Sequence, residues 1–171
     1  MKLSDSRVIN ADAATVWAAL LDADVLKACV PGCTEMSGSA AEGFEATVVQ
    51  KVGPVKATFK GAVQISDVVA PTSLTISGEG KGGAAGFAKG GADVRLEPQG
   101  DQTQLHYDVE AKVGGKLAQL GSRIIDGFAK KMADQFFANF SDAVGAPLPE
   151  TEDAADEDTP KKKGWLKKLV S

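Results

Sequence analysis

The chain has 171 residues, is 43% hydrophobic and 25% charged, and carries a formal charge of −4, proportions that suit one globular domain with its own core. The negative balance sets aside a nucleic-acid partner, which needs a basic surface to displace phosphate counterions, and no apolar run approaches the roughly 18 to 20 residues that cross a bilayer. The start, Met1-Lys2-Leu3-Ser4-Asp5-Ser6, lacks the apolar segment of a secretory signal, so neither a membrane span nor export is expected.

In chain order, Lys2 to Asn10 reads as a first strand. Asp12 stands where an N-cap belongs for a helix through Val16, Trp17, Leu20 and Leu21, ending near Asp22. A second helical turn from Asp24 to Cys29 is broken by Val30-Pro31-Gly32. From Thr34 the period becomes two. Phe44, Ala46 and Val48, then Val55, Ala57, Phe59, Gly61, Val63 and Ile65, take one face, while Lys56, Thr58, Lys60 and Gln64 take the other. Further strands are expected near Ser73 to Gly80, Gly86 to Glu97 and Gln102 to Val113, joined by Pro and Gly turns. Helical spacing returns near Lys116 and runs as one stripe through Leu117, Leu120, Ile124, Ile125, Phe128, Met132, Phe136, Phe140 and Val144.

The expected fold is therefore α+β. A curved antiparallel sheet of six to seven strands wraps around a long C-terminal helix, with two short helices after the first strand: a helix-grip arrangement, since only wrapping buries both apolar faces. Such a sheet encloses more volume than one helix fills unless its inward residues are large. Ala57, Gly61, Ala84, Ala88, Gly90, Ala92 and Ala111 are candidates for those positions, and they are small. The expected lining of the resulting apolar cavity is Trp17 and Cys29 from the short helices and Val48, Phe59, Val63, Phe87, Leu105 and Tyr107 from the sheet. The helix adds Ile124, Phe128, Met132 and Phe136. Tyr107 and Cys29 supply polar atoms to orient an elongated, oily ligand. Taken singly, the same glycines also suit the bends of a curled sheet, and the Phe and Met stripe also suits plain core.

Catalytic patterns are thin. Cys29 and Cys33 lack the spacing of a redox pair and, without an export signal, are expected as thiols. With His106 as the single histidine, a four-ligand structural metal site is not expected. His106 has no nucleophile or carboxylate at triad spacing, and the glycine-rich stretches at 82–83 and 86–91 do not open a helix after a parallel strand, as a phosphate loop requires. Asp93, Arg95 and Glu110 suit a solvated outer face.

Past the domain, expected over residues 1–145, the composition changes. Glu150 to Asp158 reads ETEDAADED, six acids in nine residues, so 146–160 is expected to be a disordered linker. Removing those acids and the tail's five lysines from the totals of 23 and 19 leaves 17 acidic and 14 basic residues in the rest. Residues 161–171 carry Lys161, Lys162, Lys163, Lys167 and Lys168 beside Trp165, Leu166, Leu169 and Val170. If helical, the apolar four gather on one side as an interfacial anchor for an anionic membrane. Each lysine there contributes roughly 1 kcal/mol and each large apolar side chain about 1.5 to 3 kcal/mol before ordering costs. A solubilising tail or a short protein-binding motif is the competing reading.

Four stretches together resemble one family, the carbon monoxide dehydrogenase G-subunit proteins of the START-like (SRPBCC) helix-grip superfamily. They are LKACVPGC from Leu26, KVGPVKATFKG from Lys51, GFAKGGADVRL from Gly86, and VGGKLAQLGSRIIDGFAKKMADQFFANF from Val113. The resemblance covers nearly all of residues 1–145. It implies a non-enzymatic accessory protein of a molybdenum-containing carbon monoxide dehydrogenase or related hydroxylase, cytoplasmic and peripherally attached to the inner face of the membrane. It also implies a link to the pool of isoprenoid quinones, ubiquinone or menaquinone, with such a quinone or another lipid as bound ligand. A maturation or assembly factor acting by protein contacts is the alternative. A small enzyme of the superfamily's cyclase type would need an acid/base set that the inward residues lack.

Overall fold

The structure, a computed structural model, describes residues 1–145; the linker at 146–160 and the lysine-rich tail at 161–171 lie outside the described residues. The chain runs β1 (Lys2–Ile9), α1 (Ala13–Leu20), α2 (Ala23–Cys29), β2 (Cys33–Ser39), β3 (Gly43–Val52), β4 (Val55–Val69), β5 (Ser73–Lys81), β6 (Phe87–Gln99), β7 (Gln102–Gly114), α3 (Lys116–Gln119) and α4 (Ser122–Val144).

Local chemistry sets the first boundaries. Asp12 caps α1 by accepting from Thr15 N at 2.9 Å; Thr15, through its side chain first and this backbone N–H second, holds the Asp12 carboxyl below the usual range. Asp22 closes that helix and caps the next, accepting from Asp24 N at 2.9 Å. After α2 the chain turns at Gly32, whose φ is +78° and where any Cβ would overlap the Val49 carbonyl oxygen. Glycine is the residue this turn admits, because the loop lies directly on β3.

The seven strands form one antiparallel sheet in the order β1-β7-β6-β5-β4-β3-β2. Every strand but β1 neighbours its successor in sequence, so short hairpins fix the register of most of the sheet. The expectation of six to seven strands around a long C-terminal helix is met with seven. The helical stripe, however, is not continuous: Gly121, at φ +90°, separates α3, which carries Leu117, from α4. Leu120 caps α3. Ala84, expected inward, is exposed in a 3-10 turn at Gly83–Ala85 whose buried member is Ala85. No helix among the described residues is long and apolar enough to cross a membrane.

The core divides in two. The larger cluster joins Ile9, Val16, Leu20, Cys29, Leu96, Leu105, Tyr107, Phe137 and Phe140 where β1, α1, α2 and the C-terminal half of α4 meet. A smaller one, Val52, Leu117 and Ile125 with Phe59, Leu120 and Phe128 packed against it, closes the opposite end beside the β3–β4 hairpin. Between them the helix spans the sheet without a buried cluster of its own.

Candidate functional site

The register explains what lies between the clusters. Ala46 pairs with Gly61, Gly61 with Gly80, and Gly80 with Ala88. Two residues along, Val63 pairs with Gly78, Gly78 with Gly90, and Gly90 with Ala111. Alternation sends both rows to the concave face, so the middle of the sheet presents four glycines, three alanines and a valine to the helix. A cavity of about 390 Å³ results, floored by these rows and walled by Val30, Met36, Val48, Phe59, Ile76 and Val109. Its lining is half-buried throughout, whereas Ile9, Val16, Cys29 and Phe140 in the larger cluster are fully buried. Solvent reaches the middle of the sheet and not its packed end.

The glycines serve two different needs. A Cβ at Gly90 would overlap the Glu110 carbonyl oxygen, and one at Gly78 would sit 2.9 Å from the Ala62 carbonyl oxygen, so there the curled backbone itself requires glycine. At Gly80 the nearest atom to a Cβ would be Phe59 Cβ at 4.0 Å; that space is open. Glu79, Lys89 and Glu110 border the cavity, but alternation turns their side chains to the outer face. The lining is left almost wholly apolar.

Of the residues expected to line the cavity, Val48, Phe59 and Val63 do so. Cys29, Leu105 and Tyr107 are buried in the larger cluster, with Trp17 and Phe136 packed against it, and Phe128 packs on the smaller one. Met132 is half-buried on α4 between the two, and, contrary to expectation, no residue of α4 lines the cavity. Two placements differ outright from expectation. Phe87 has the opposite parity to Ala88, Gly90 and Ala92, so it stands on the outer face, 42% exposed. Ile124 is 40% exposed and lies over Gly53 of the β3–β4 hairpin, because its neighbour Ile125 takes the inward position.

One polar constellation, not expected from the sequence, joins the sheet to the helix. Arg7, inward on the edge strand β1, places Nη2 2.5 Å from Asp134 Oδ1 of α4 and 3.2 Å from the Tyr107 hydroxyl. Its guanidinium carbon lies 5.3 Å from the centre of the Phe137 ring, which stacks on Tyr107 at 5.0 Å. Burial works against the charge on Arg7, yet its bonds to Asp134 and Tyr107 outweigh that and raise its pKa. The same contact holds the Asp134 carboxyl below its ordinary range. Tyr107 thus spends its hydroxyl on the clamp. Cys29 is likewise engaged: burial, and secondarily Asp142, push its thiol up, while Asn139 Nδ2 donates to its carbonyl at 3.0 Å. Both cysteines are free thiols.

His106 pairs with Glu97 at 3.0 Å on the outer face, away from the cavity. Among the described residues no group of three or more His, Cys, Asp or Glu is placed to hold a metal ion. What the site offers chemically is an apolar volume with a rigid frame.

A family model described as the carbon monoxide dehydrogenase G-subunit (CoxG) matches residues 6–145. No curated protein matches the chain. Among solved structures, a conserved protein from Geobacillus kaustophilus is 26% identical, with a TM-score of 0.78 over 84% of this chain and 95% of its own. A START superfamily protein from Mycobacterium smegmatis is 14% identical, with a TM-score of 0.62 over 84% and 96%. A protein from Thermus thermophilus is 12% identical, with a TM-score of 0.62 over 84% and 97%. The architecture is thus the START-like helix grip, found across sequences that share little else.

Proposed function

Because the chain belongs to the carbon monoxide dehydrogenase G-subunit (CoxG) family, we propose that it is a non-enzymatic accessory protein of a molybdenum-containing carbon monoxide dehydrogenase or related hydroxylase. In this reading it holds a quinone or similar apolar lipid between sheet and helix, and its tail brings the enzyme to the membrane. The observation that carries the proposal is the apolar cavity over the Gly/Ala floor. At about 30 Å³ per non-hydrogen atom, the share a water molecule takes in the liquid, 390 Å³ holds roughly a dozen atoms. That is a substituted ring or two isoprene units, so a long prenyl chain would be gripped by one end with the remainder outside.

The lining supports a carrier rather than a catalyst. A reacting site needs an acid, base or nucleophile aimed at the substrate; here Tyr107 and Cys29 are turned into the packed core, and the charged neighbours face the other side of the sheet. Recruitment to the bilayer rests on the Trp165 and lysine pattern of the tail.

The test is organic extraction of full-length protein purified from its own cells, followed by mass spectrometry. A prenyl quinone or a single lipid class is expected. Protein that carries none, and takes up neither ubiquinone nor menaquinone when offered, is not a carrier.

A further inference from the structure

The outer face of the sheet carries an arrangement that stability does not favour. Lys51 stands directly opposite Lys56, Lys60 opposite Lys81, and Lys89 opposite Lys112. Like charges directly across a strand pair repel, and three such pairs lie together at the end of the sheet that holds the β3–β4 hairpin. All six lysines are exposed, and among the described residues none makes an ion pair. Four carboxylates adjoin them on this face: Glu79 directly opposite Lys89, Glu45 in the same row, Glu35 beside Thr47 in the row of Lys60 and Lys81, and Glu110 two residues from Lys112; six lysines against four glutamates still leave an excess of positive charge. In the midst of the lysines stands Phe87, opposite Lys81 and two residues from Lys89, with 42% of its surface exposed. The other end of the same face bears the reverse charge, with Asp93 directly opposite Asp108.

We propose that this lysine block with Phe87 at its centre is a docking surface for an anionic lipid bilayer, a second contact contributed by the folded domain in addition to the tail. The inference shares the bilayer with the reading above but rests on other residues. Charge complementarity explains why mutually repelling lysines are set together: an anionic surface relieves the repulsion. The choice of side chain argues for lipid over protein. All six cations are Lys and none is Arg, whereas protein interfaces favour Arg, whose planar fork binds carboxylates in pairs, and are depleted in Lys. Long lysine stems around one exposed aromatic suit a fluid headgroup layer, where the ring enters the interface and the ammonium groups stay at headgroup level.

The block also has a fixed relation to the cavity. Phe59, part of the cavity wall, lies against Gly82, next in sequence to Lys81. The lysine block thus sits level with the Phe59 end of the cavity, on the opposite face of the sheet. Residue 145, where the described chain ends beside Asn10, lies at the far end of α4, about 34 Å away along its 23 residues.

The experiment compares full-length protein with the variant Lys81→Gln, Lys89→Gln, Lys112→Gln in sedimentation with phosphatidylcholine vesicles containing about 30 mol% phosphatidylglycerol. Since each lysine at such a surface is worth about fivefold in partitioning, the triple variant should bind at least tenfold more weakly, and Phe87→Ala should add a further loss. Removing Lys27 and Lys131, which lie outside the block, should change little, and thermal stability of the triple variant should not fall, because two repulsive pairs, Lys60–Lys81 and Lys89–Lys112, have been removed. Unchanged binding by the triple variant, or an equal loss in the Lys27/Lys131 control, overturns the inference. So does binding that is unchanged on vesicles but lost on the purified partner enzyme, which would assign the face to a protein. A tail variant, Trp165→Ala with Leu169→Ala, separates the two membrane readings: if it alone loses binding, the tail stands and the docking face falls.

Discussion

Replacing Gly80 with leucine should make the protein more stable and worse at holding a ligand. A Cβ at this position meets nothing nearer than Phe59 Cβ at 4.0 Å, and the backbone is ordinary strand, so the new side chain enters the cavity without strain. Its four carbons, at about 30 Å³ each, take roughly 120 Å³, close to a third of the 390 Å³ available. In ligand-free protein the leucine, half-buried like the lining around it, gains about half of the roughly 1.5 to 3 kcal/mol of full burial, and the strand loses a glycine, worth up to about 1 kcal/mol more. At about 3 °C per kcal/mol for a domain of this size, Tm should rise by several degrees, while uptake of a quinone falls at least tenfold. The assay is differential scanning calorimetry on delipidated full-length protein, paired with extraction after incubation with ubiquinone. Gly90→Ala provides the contrast: its Cβ would overlap the Glu110 carbonyl oxygen, so the smaller substitution should lower Tm. Were Gly80→Leu to lower Tm as well, by the 1 to 3 kcal/mol or so of an overpacked core, the middle of the sheet would be filled and the argument for a cavity would fail.

Two further outcomes follow from the clamp and the thiols. Arg7 holds the Asp134 carboxyl below its ordinary value, so the pair's contribution to stability is present above the unfolded carboxyl's pKa of about 3.9 and is lost as pH falls through the folded value. Thermal melts of wild type and Asp134→Asn should therefore differ at neutral pH and converge in acid below that range; a gap that persists at low pH would show that the pair acts by shape rather than charge. Cys33 is partly exposed and Cys29 buried, its thiol pushed up by burial. Iodoacetamide should then label Cys33 in the native protein and reach Cys29 only on unfolding, and equal labelling rates would contradict the packing around α2.

Alternation and capping make much of the fold legible in the sequence. The run from Val55 to Ile65 declares its two faces residue by residue, and Asp12 announces α1 through a bond made only three residues on. Where expectation and structure differ, a nonlocal contact or the size of a side chain is the reason. Bulk alone places Phe87 inward, although its parity with Lys89 and against Ala88 sets it outside. Gly121 sits inside a spacing that continues helically from Leu120 to Ile124, and a lone glycine in such a pattern does not reveal a left-handed φ. Phe136 and Phe137 are adjacent, so the stripe cannot say which is buried; the packing against Tyr107 decides it. The clamp joins residues 127 apart. Its one local signal is an arginine at an inward position of an edge strand. The Gly/Ala floor is visible as composition, but its two rows exist only through the register of β3 to β7.

The arrangement of the two clusters explains why the cavity stays open in a protein whose hydrophobic groups would otherwise collapse into it. Helix α4 is fixed at both ends. Ile125 and Phe128 pack at the hairpin end, and Phe136, Phe137 and Phe140 pack against β1, α1 and β7, with the Arg7–Asp134 contact fastening the helix to the sheet edge. From Phe128 to Phe136 the helix rises about 12 Å, and over that span its half-buried residues are Ala129, Met132 and Ala133. A helix held at both ends curves only gently, with a radius of about 60 to 100 Å, which over this span moves it far too little to reach a glycine floor, so the space beneath it persists as a property of the frame. It follows that stability is concentrated at the ends, and that in the proposed carrier reading a ligand would occupy the middle, beside Phe59, while the buried clusters stay intact.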